Sequence, residues 1–328
     1  MRILITGAAG GIGSTLAHKL VEEGNDLILV DNLRNGYIEN LTLNSKKIAD
    51  LKTIDIRNIE SVKQKNIDAV IHLAAITSLV DAEANPEETL SINVGGTLSV
   101  LNFCRKNDIN NIIFSSTSAV YENNKEKIFT EDLSVNPKLM YSLSKKMSED
   151  LCESFRINYG MNITTLRFFN VFGPKQDRYR KNPPLLNYII KQYKSNLPII
   201  LHSDGTQTRD YIHIDDVINL TNLCLKKNPN SLFNVCTNTL TSVNEIIKYV
   251  SEEIGIELKP IYREAEKLWD SYPQLFEGKY CLDKKIVAKE TSKYSLGSYE
   301  KVKKQLNWVP NINIKNLIKN TTREILKI

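Results

Sequence analysis

Tyr141 and Lys145, in the stretch YSLSK, stand four residues apart, so a helix through them carries both side chains on one face. A neutral tyrosine is a poor base, with a reference pKa of about 10. An ammonium beside it stabilises the phenolate and lowers that value. Such a pair can take a proton from an alcohol while a hydride leaves the same carbon. Tyrosine and lysine at this spacing are common, so the pair gains meaning only from its company. Part of that company is FSSTSAVYE, Phe114 to Glu122, in which four consecutive hydroxyl residues, Ser115 to Ser118, close the apolar run Ile112-Ile113-Phe114. A core strand ends in hydroxyls when something polar sits at its tip.

A second chemical signal is ITGAAGGIG, from Ile5 to Gly13. Gly7, Gly10 and Gly13 have GxxGxxG spacing between an apolar run and a helical pattern. Glycines there allow a tight turn and let main-chain N–H groups, those of Gly11 and Ile12 included, approach a pyrophosphate at a helix N-terminus. Asp31 ends the next apolar run, with Asn32 after it, at the distance expected for an acid that holds the adenosine ribose. A carboxylate accepts both ribose hydroxyls and repels a 2′-phosphate, which favours NAD over NADP. Arg34, close by, works against that preference.

The elements that must position these groups follow from pattern. Ile3-Leu4-Ile5, Leu27 to Val30, Lys52 to Ile54, Ala69 to Ile71 and Asn111 to Phe114 are apolar throughout, as strands buried on both faces are. Helical patterns separate them, at about 12–23, 86–106 and 141–159. Strands alternating with helices imply a parallel sheet with right-handed crossovers. The expectation is an α/β fold: a Rossmann-type doubly wound parallel sheet over residues 1–173, carrying the glycine turn and the Tyr/Lys pair. A smaller mixed C-terminal substrate lobe is expected over 174–328, with short returns to the large domain. GPKQDRYRKNPP, which opens the second part, reads as a polar, basic loop. The polar run from 264 to 295 resists assignment.

Composition excludes several alternatives. The chain has 328 residues and a formal net charge of +5, with no Lys/Arg-rich block interleaved with aromatics, so no nucleic-acid partner is expected. The five cysteines are scattered without a CxxC pair, and histidine is scarce, so no metal site is expected. No apolar run approaches the ~20 residues of a membrane span. The expected setting is the cytoplasm, with no membrane partner.

Taken together, the motifs resemble those of the extended short-chain dehydrogenase/reductases, specifically the NAD-dependent nucleotide-sugar epimerases and dehydratases, with UDP-glucose 4-epimerase-like features. TGAAGGIG, DNL, DIR at Asp55–Arg57, HLAA at His72–Ala75, Asn93 in NVGGT, SSTSAVY, YSLSK, LRFFNVFGPKQ and TRDYIHIDDV carry the likeness along nearly the whole chain. The resemblance implies NAD as cofactor and a nucleotide-diphosphate sugar as substrate. It puts Asp55 and Ile56 beside the adenine, Leu73, Ala74 and Ala75 along the cofactor path, and Asn93 and Ser115 in the cofactor set. Lys145 is implied to bind the nicotinamide ribose as well. Thr117 matches the residue that hydrogen-bonds the reacting sugar hydroxyl next to Tyr141, with Ser118 adjoining. Asn170 matches a residue on the sugar or its diphosphate, and Arg209 matches an arginine that clamps the diphosphate, as a bidentate guanidinium suits. The helix bearing Tyr141 has a further apolar face, Leu143, Met147 and Leu151, and the resemblance suggests a homodimer through it.

The departures discriminate. In the sugar 4,6-dehydratases Thr117 would be followed by an acid pair; here Ser118 and Ala119 stand there, and neither transfers a proton. Oxidation at one carbinol carbon remains, which the resemblance puts most often at C4, as a 4-epimerase or alternatively a net dehydrogenase or reductase, with a non-catalytic NAD-binding protein as the last alternative. His202 stands where an aromatic commonly stacks on the nucleobase, and Glu122 where glycine is common. Lys293 or Arg263 is the candidate for a second phosphate ligand.

Overall fold

The computed structural model describes residues 1–43, 46–177, 180, 183–285 and 294–327. In chain order its principal strands are β1 (Arg2–Thr6), β2 (Asp26–Asp31), β3 (Leu51–Thr53), β4 (Ala69–His72), β5 (Asn111–Thr117), β6 (Asn162–Phe168), β7 (Asn170–Phe172), β8 (Thr208–His213), β9 (Leu232–Val235) and β10 (Leu240–Ser242). Seven of them form one sheet in the order β9-β6-β5-β4-β1-β2-β3, every pair parallel. This is a Rossmann-type doubly wound sheet. The chain reverses its direction of growth between β1 and β4, and such a switch point opens a crevice at the strands' carboxyl ends.

Both faces of the sheet are covered, which is why its strands read as unbroken apolar runs. Ile3 and Ile5 feed one core with Leu16, Leu20, Val217 and Leu220 of the helices α1 (Gly11–Glu22) and, later, Ile214–Lys227. Leu4, between them, points the other way, into a core with Val100, Phe103, Cys152 and Phe155. Alternate residues of one strand thus serve opposite layers. The helical pattern expected over 86–106 is three pieces end to end: Pro86–Leu90, a π turn at Ser91–Gly95, and Gly96–Lys106. The Tyr/Lys helix runs Met140–Tyr159.

The smaller lobe carries a three-stranded mixed sheet, β10-β8-β7, antiparallel on one side and parallel on the other. Its own core joins Leu186, Ile189, Val243, Ile246 and Ile318. The chain returns to the large sheet from within 174–328, because β9 pairs with β6. Trp308 is buried in the large core. The segment that resists a pattern holds two short 3-10 turns, Ala265–Ser271 and Pro273–Leu275. Trp269, Tyr272 and Leu275 from it pack on Val80 and Leu139 of the large domain. Its contacts are to remote residues, so it shows no local period. Among the described residues no helix is long and apolar enough to cross a membrane.

Candidate active site

A cleft of about 630 Å³ opens at the carboxyl ends of the large sheet, within the ~300–1,000 Å³ typical of small-molecule sites. Its floor is the glycine turn. Gly7 has φ +70°, and a Cβ on it would meet the Ala74 main-chain nitrogen at 2.8 Å. A Cβ on Gly13 would meet the Gly7 carbonyl at 2.1 Å. Only glycine gives this close approach of turn, helix and neighbouring strand end. The first turn of α1 holds no acidic residue, so its free N–H groups and positive dipole end are left for an anion.

Asp31 ends β2 beside that turn, buried, and accepts the amides of Ala9 (3.0 Å) and Leu33 (2.8 Å), one on each oxygen. Burial pushes its carboxyl above the usual range, while those amides pull it back. A carboxylate has about four acceptor sites, so two remain for a ribose diol. Arg34, the residue that argued against NAD, is turned to Glu88 at 2.8 Å. Asn32, Ile54, Asp55 and Ile56 continue this wall. Arg57 forks onto Asp55 and holds its carboxyl low. The glycine cradle, the helix end and the ribose acid together fit NAD.

The opposite wall, Leu73 to Ala75, is held from behind. The Thr6 hydroxyl oxygen accepts the amides of Leu73 and Ala74 (3.2 and 3.3 Å) and pairs with His72 Nδ1 at 2.7 Å. Burial drives His72 down to about 3, so it is a neutral strut. Asn93 also stands behind the wall. Its side chain bonds both the amide and the carbonyl of Ile76 (2.8 and 3.0 Å) and reaches Ser144 on the Tyr/Lys helix (2.9 Å). It fastens the loop and does not line the cleft.

The four hydroxyls have distinct work. Ser115 donates to the His72 carbonyl (3.1 Å) and lines the cleft. Ser116 donates to Glu149, which is gripped by both arms of Arg167 at 2.9 and 2.8 Å. Arg167 in turn donates to the Tyr121 phenol at 2.7 Å. Thr117 lines the cleft and accepts the Ala119 amide at 3.2 Å, and its hydroxyl draws the Tyr141 phenol down. Ser118 opens the 3-10 turn Ser118–Tyr121 and lies off the wall.

Tyr141 and Lys145 both face the cleft. Burial pushes the Tyr141 phenol up; the Thr117 hydroxyl and the Arg180 guanidinium pull it back. The expected helper, Lys145, is not among the groups that lower the phenol. Its ammonium sits 4.4 Å from the Phe114 ring centroid and is brought down to about 8 by burial.

At the far end Asn170, Arg209 and Tyr211 line the cleft. The Asn170 amide is spent on the Asp210 carbonyl at 3.0 Å. Arg209 is placed by β8, which the segment at Ser295 joins through a main-chain bridge. Gln176, Asp177 and Arg180 complete the wall and are absent from the expected set. Their only signal was the basic texture of the loop after Gly173. His202 is not on the wall; burial lowers its imidazole, while the Glu264 main chain raises it. Arg263 does not line the cleft, and Lys293 lies outside the described residues.

Residues 3–236 match the NAD dependent epimerase/dehydratase family. The chain is 34% identical over 316 residues to a putative UDP-glucose 4-epimerase of Methanocaldococcus jannaschii, covering 95% of this chain and 99% of that one. It is 31% identical to a UDP-glucuronate 4-epimerase of Thermodesulfobacterium geofontis, covering 97% and 94%. The crystal structure of a UDP-glucose 4-epimerase of Thermotoga maritima with UDP-glucose superposes with a TM-score of 0.85 at 30% identity, covering 100% of this chain and 99% of that one. A UDP-glucuronic acid 4-epimerase of Bacillus cereus with UDP-glucuronic acid and NAD superposes with a TM-score of 0.80 at 25% identity, covering 100% and 99%. With a glycine cradle, the Asp31 carboxylate and Thr117, Tyr141 and Lys145 in one cleft, the chain is an NAD-dependent enzyme of the nucleotide-sugar epimerase class and belongs to the NAD dependent epimerase/dehydratase family.

Proposed function

We propose that the protein is a 4-epimerase of a UDP-linked sugar, working through a transient 4-keto sugar. The observation that carries this reading is that Thr117 and Tyr141 line one cleft with the glycine turn, the Thr117 hydroxyl acting on the Tyr141 phenol, with no acid at 118 or 119. Thr117 orients the C4 hydroxyl, and Tyr141 accepts its proton. NAD, when bound, supplies the hydride acceptor at that carbon and afterwards the donor. Lys145, on the same cleft wall one helical turn further on, contributes a donor toward the nicotinamide ribose. Arg209 clamps the diphosphate, which leaves the sugar free to turn before Tyr141 returns the proton. A 4,6-dehydratase would need an acid and a base near C5 and C6. Ser118 and Ala119 cannot serve, and the nearby Glu122 is occupied by the amides of Lys138 and Leu139.

Arg180 favours one sugar class over another. Its guanidinium lines the cleft and acts on the Tyr141 phenol, so a sugar bearing a carboxylate next to C4 gains a charge partner there. The reading is therefore UDP-glucuronate ahead of UDP-glucose. A dimer through the Tyr/Lys helix is supported by the exposure of Met147 on it and Leu98 on the helix Gly96–Lys106; a gel-filtration mass of one chain would remove it.

Purified protein incubated with UDP-glucose, UDP-glucuronate and GDP-, CDP- and dTDP-sugars decides the matter by mass spectrometry and nicotinamide absorbance together. An isomeric product without accumulating NADH supports the proposal. A product two hydrogens lighter makes the enzyme a net dehydrogenase, and loss of water refutes the argument from Ser118 and Ala119.

A further inference from the structure

The first turn of the Tyr/Lys helix lacks the local cap that such turns ordinarily carry. Its N-cap residue is Leu139, which makes no side-chain cap bond. The Leu139 side chain is buried with Val80, Trp269, Tyr272 and Leu275 instead. The unsatisfied amides of a helix start must go somewhere. Here they go to two carboxylates from other elements. Glu122, just after the turn that follows β5, takes the amides of Lys138 and Leu139 on Oε1, the latter at 2.9 Å, and the Ser142 hydroxyl on Oε2. Glu83, on the short helix Leu79–Ala84, takes the amide of Met140. The next residue is Tyr141.

We infer that Glu83 and Glu122 are positioning residues that hold the Tyr141 phenol in register with Thr117, an inference that rests on Tyr141 as the base. Thr117 and Glu122 belong to one continuous stretch, β5 and its 3-10 turn. The strand end that presents the hydroxyl thus also grips the turn that presents the phenol. Charge-assisted bonds from carboxylate to amide are shorter and stronger than neutral ones, and a negative charge suits a helix start. Glu83 ties the same turn to the helix that bears Val80, on which the 265–275 segment of the small lobe packs. Burial raises the Glu83 carboxyl and the Glu122 charge raises it further, so the two carboxylates oppose each other across the turn they hold. Neither lines the cleft, so both act through Tyr141 and not on substrate.

The test compares Glu122→Gly, which installs the residue common in the family, with Glu122→Gln, which keeps the acceptor oxygen. Glu83→Ala and Glu83→Gln form a second pair. A misplacement of ~1 Å costs about 100-fold in rate. The Gly and Ala variants are therefore expected to lose about 10- to 100-fold in kcat, with KM and bound NAD within about twofold of wild type. The Gln variants are expected to recover most of that loss. The Tyr141 phenolate absorbance, taken as the difference from the matching Tyr141→Phe protein, is expected to titrate at a changed pH in Glu122→Gly and near the wild-type pH in Glu122→Gln. That titration needs no substrate, so it decides the inference even if the wild-type enzyme turns over none of the sugars offered. Wild-type kcat and titration in Glu122→Gly overturn it. So does a Glu122→Gln protein as impaired as Glu122→Gly, or a fall in kcat matched by an equal loss of bound NAD.

Discussion

At the glycine-turn end of the cleft the wall is largely main chain and small residues, Gly7, Gly10, Gly11, Gly13, Ala74 and Ala75, with two acids beside them, Asp31 and Asp55. At the far end, the one proposed for the sugar, it is long polar side chains, Gln176, Asp177, Arg180 and Arg209, brought together from the loop after Gly173 and from β8. The first wall works because chain passes close to chain, and a Cβ at Gly7 or Gly13 would collide with main chain. The second works because side chains reach a common point, and each depends on a scaffold far away in sequence. A wall of the first kind admits few residue types and one spacing. A wall of the second kind can be rebuilt with other residues, which is where one enzyme of a family departs from another.

The sharpest way to break this contrast is at the junction between the two ends. Tyr141→Phe removes the proposed proton acceptor while leaving the glycine floor of the cleft in place. General acid–base groups contribute about 10²–10⁴-fold, and kcat is expected to fall by at least the upper part of that range with bound NAD unchanged. Turnover is followed by product mass and NAD by absorbance after denaturation. Loss of NAD together with activity would mean that the two ends are not separable.

Next in size is the support beneath the junction. Glu149 and Arg167 are both about 95% buried and fully engaged with each other, with Ser116 and with Tyr121. Glu149→Ala leaves the guanidinium buried without its partner, which costs about 3–5 kcal/mol. The denaturant midpoint is expected to drop accordingly. A drop below about 1 kcal/mol would show that water reaches Arg167 and that the network is not what holds β5 to the Tyr/Lys helix.

Gly13→Ala tests the main-chain wall itself. Its Cβ would sit 2.1 Å from the Gly7 carbonyl, and overpacking of this kind costs ~1–3 kcal/mol. The turn must shift, so NAD affinity is expected to fall by more than tenfold while the small lobe, tested through binding of the UDP-sugar alone, is unaffected. Equal loss of both ligands would dissolve the distinction between the ends.

What was legible in the sequence follows the same divide. Gly7 and Gly13 announce themselves because main-chain geometry leaves almost no choice, and Asp31 because it ends the strand beside that turn. The large sheet is legible because strands buried on both faces cannot alternate. Arg180 was missed because a loop arginine carries no period and its approach to Tyr141 is set by tertiary packing. Asn93 was put in the cofactor set because its motif travels with the cofactor site; the structure shows it fastening Ile76 and Ser144 from behind the cleft wall. Trp269 and Tyr272 were unreadable for the same reason as Arg180, since their partners Val80 and Leu139 lie far off in the large domain.

A pH series separates the two ends by charge. Lys145 falls from 10.5 to about 8 on folding through burial. Between those values the unfolded chain holds a proton that the folded one does not. The penalty of burying the ammonium is thus fully present below about 8 and is relieved as pH rises from there toward 10.5, so this lysine makes folding more favourable with rising pH in that window. The difference in urea midpoint between wild type and Lys145→Met should therefore shrink from pH 7 toward pH 10. Turnover should run the opposite way, falling as the ammonium is lost, and Lys145→Arg should carry its lower activity to higher pH without that fall.

The smallest effect is expected at the outer edge of the cofactor wall. Arg34 is held by Glu88 at 2.8 Å, and both are substantially exposed. Such pairs contribute only about 0.2–1 kcal/mol, so Glu88→Gln should leave stability unchanged. It releases a guanidinium beside Asp31, where a 2′-phosphate would lie. Asp31 stays in place and still repels that phosphate, so NAD should remain preferred. The expected change is a gain of a fewfold in NADP affinity, lost again in Glu88→Gln with Arg34→Ala and suppressed by salt. A gain surviving Arg34→Ala would put the discrimination on main chain after all, and would move this edge from the side-chain kind of wall to the other.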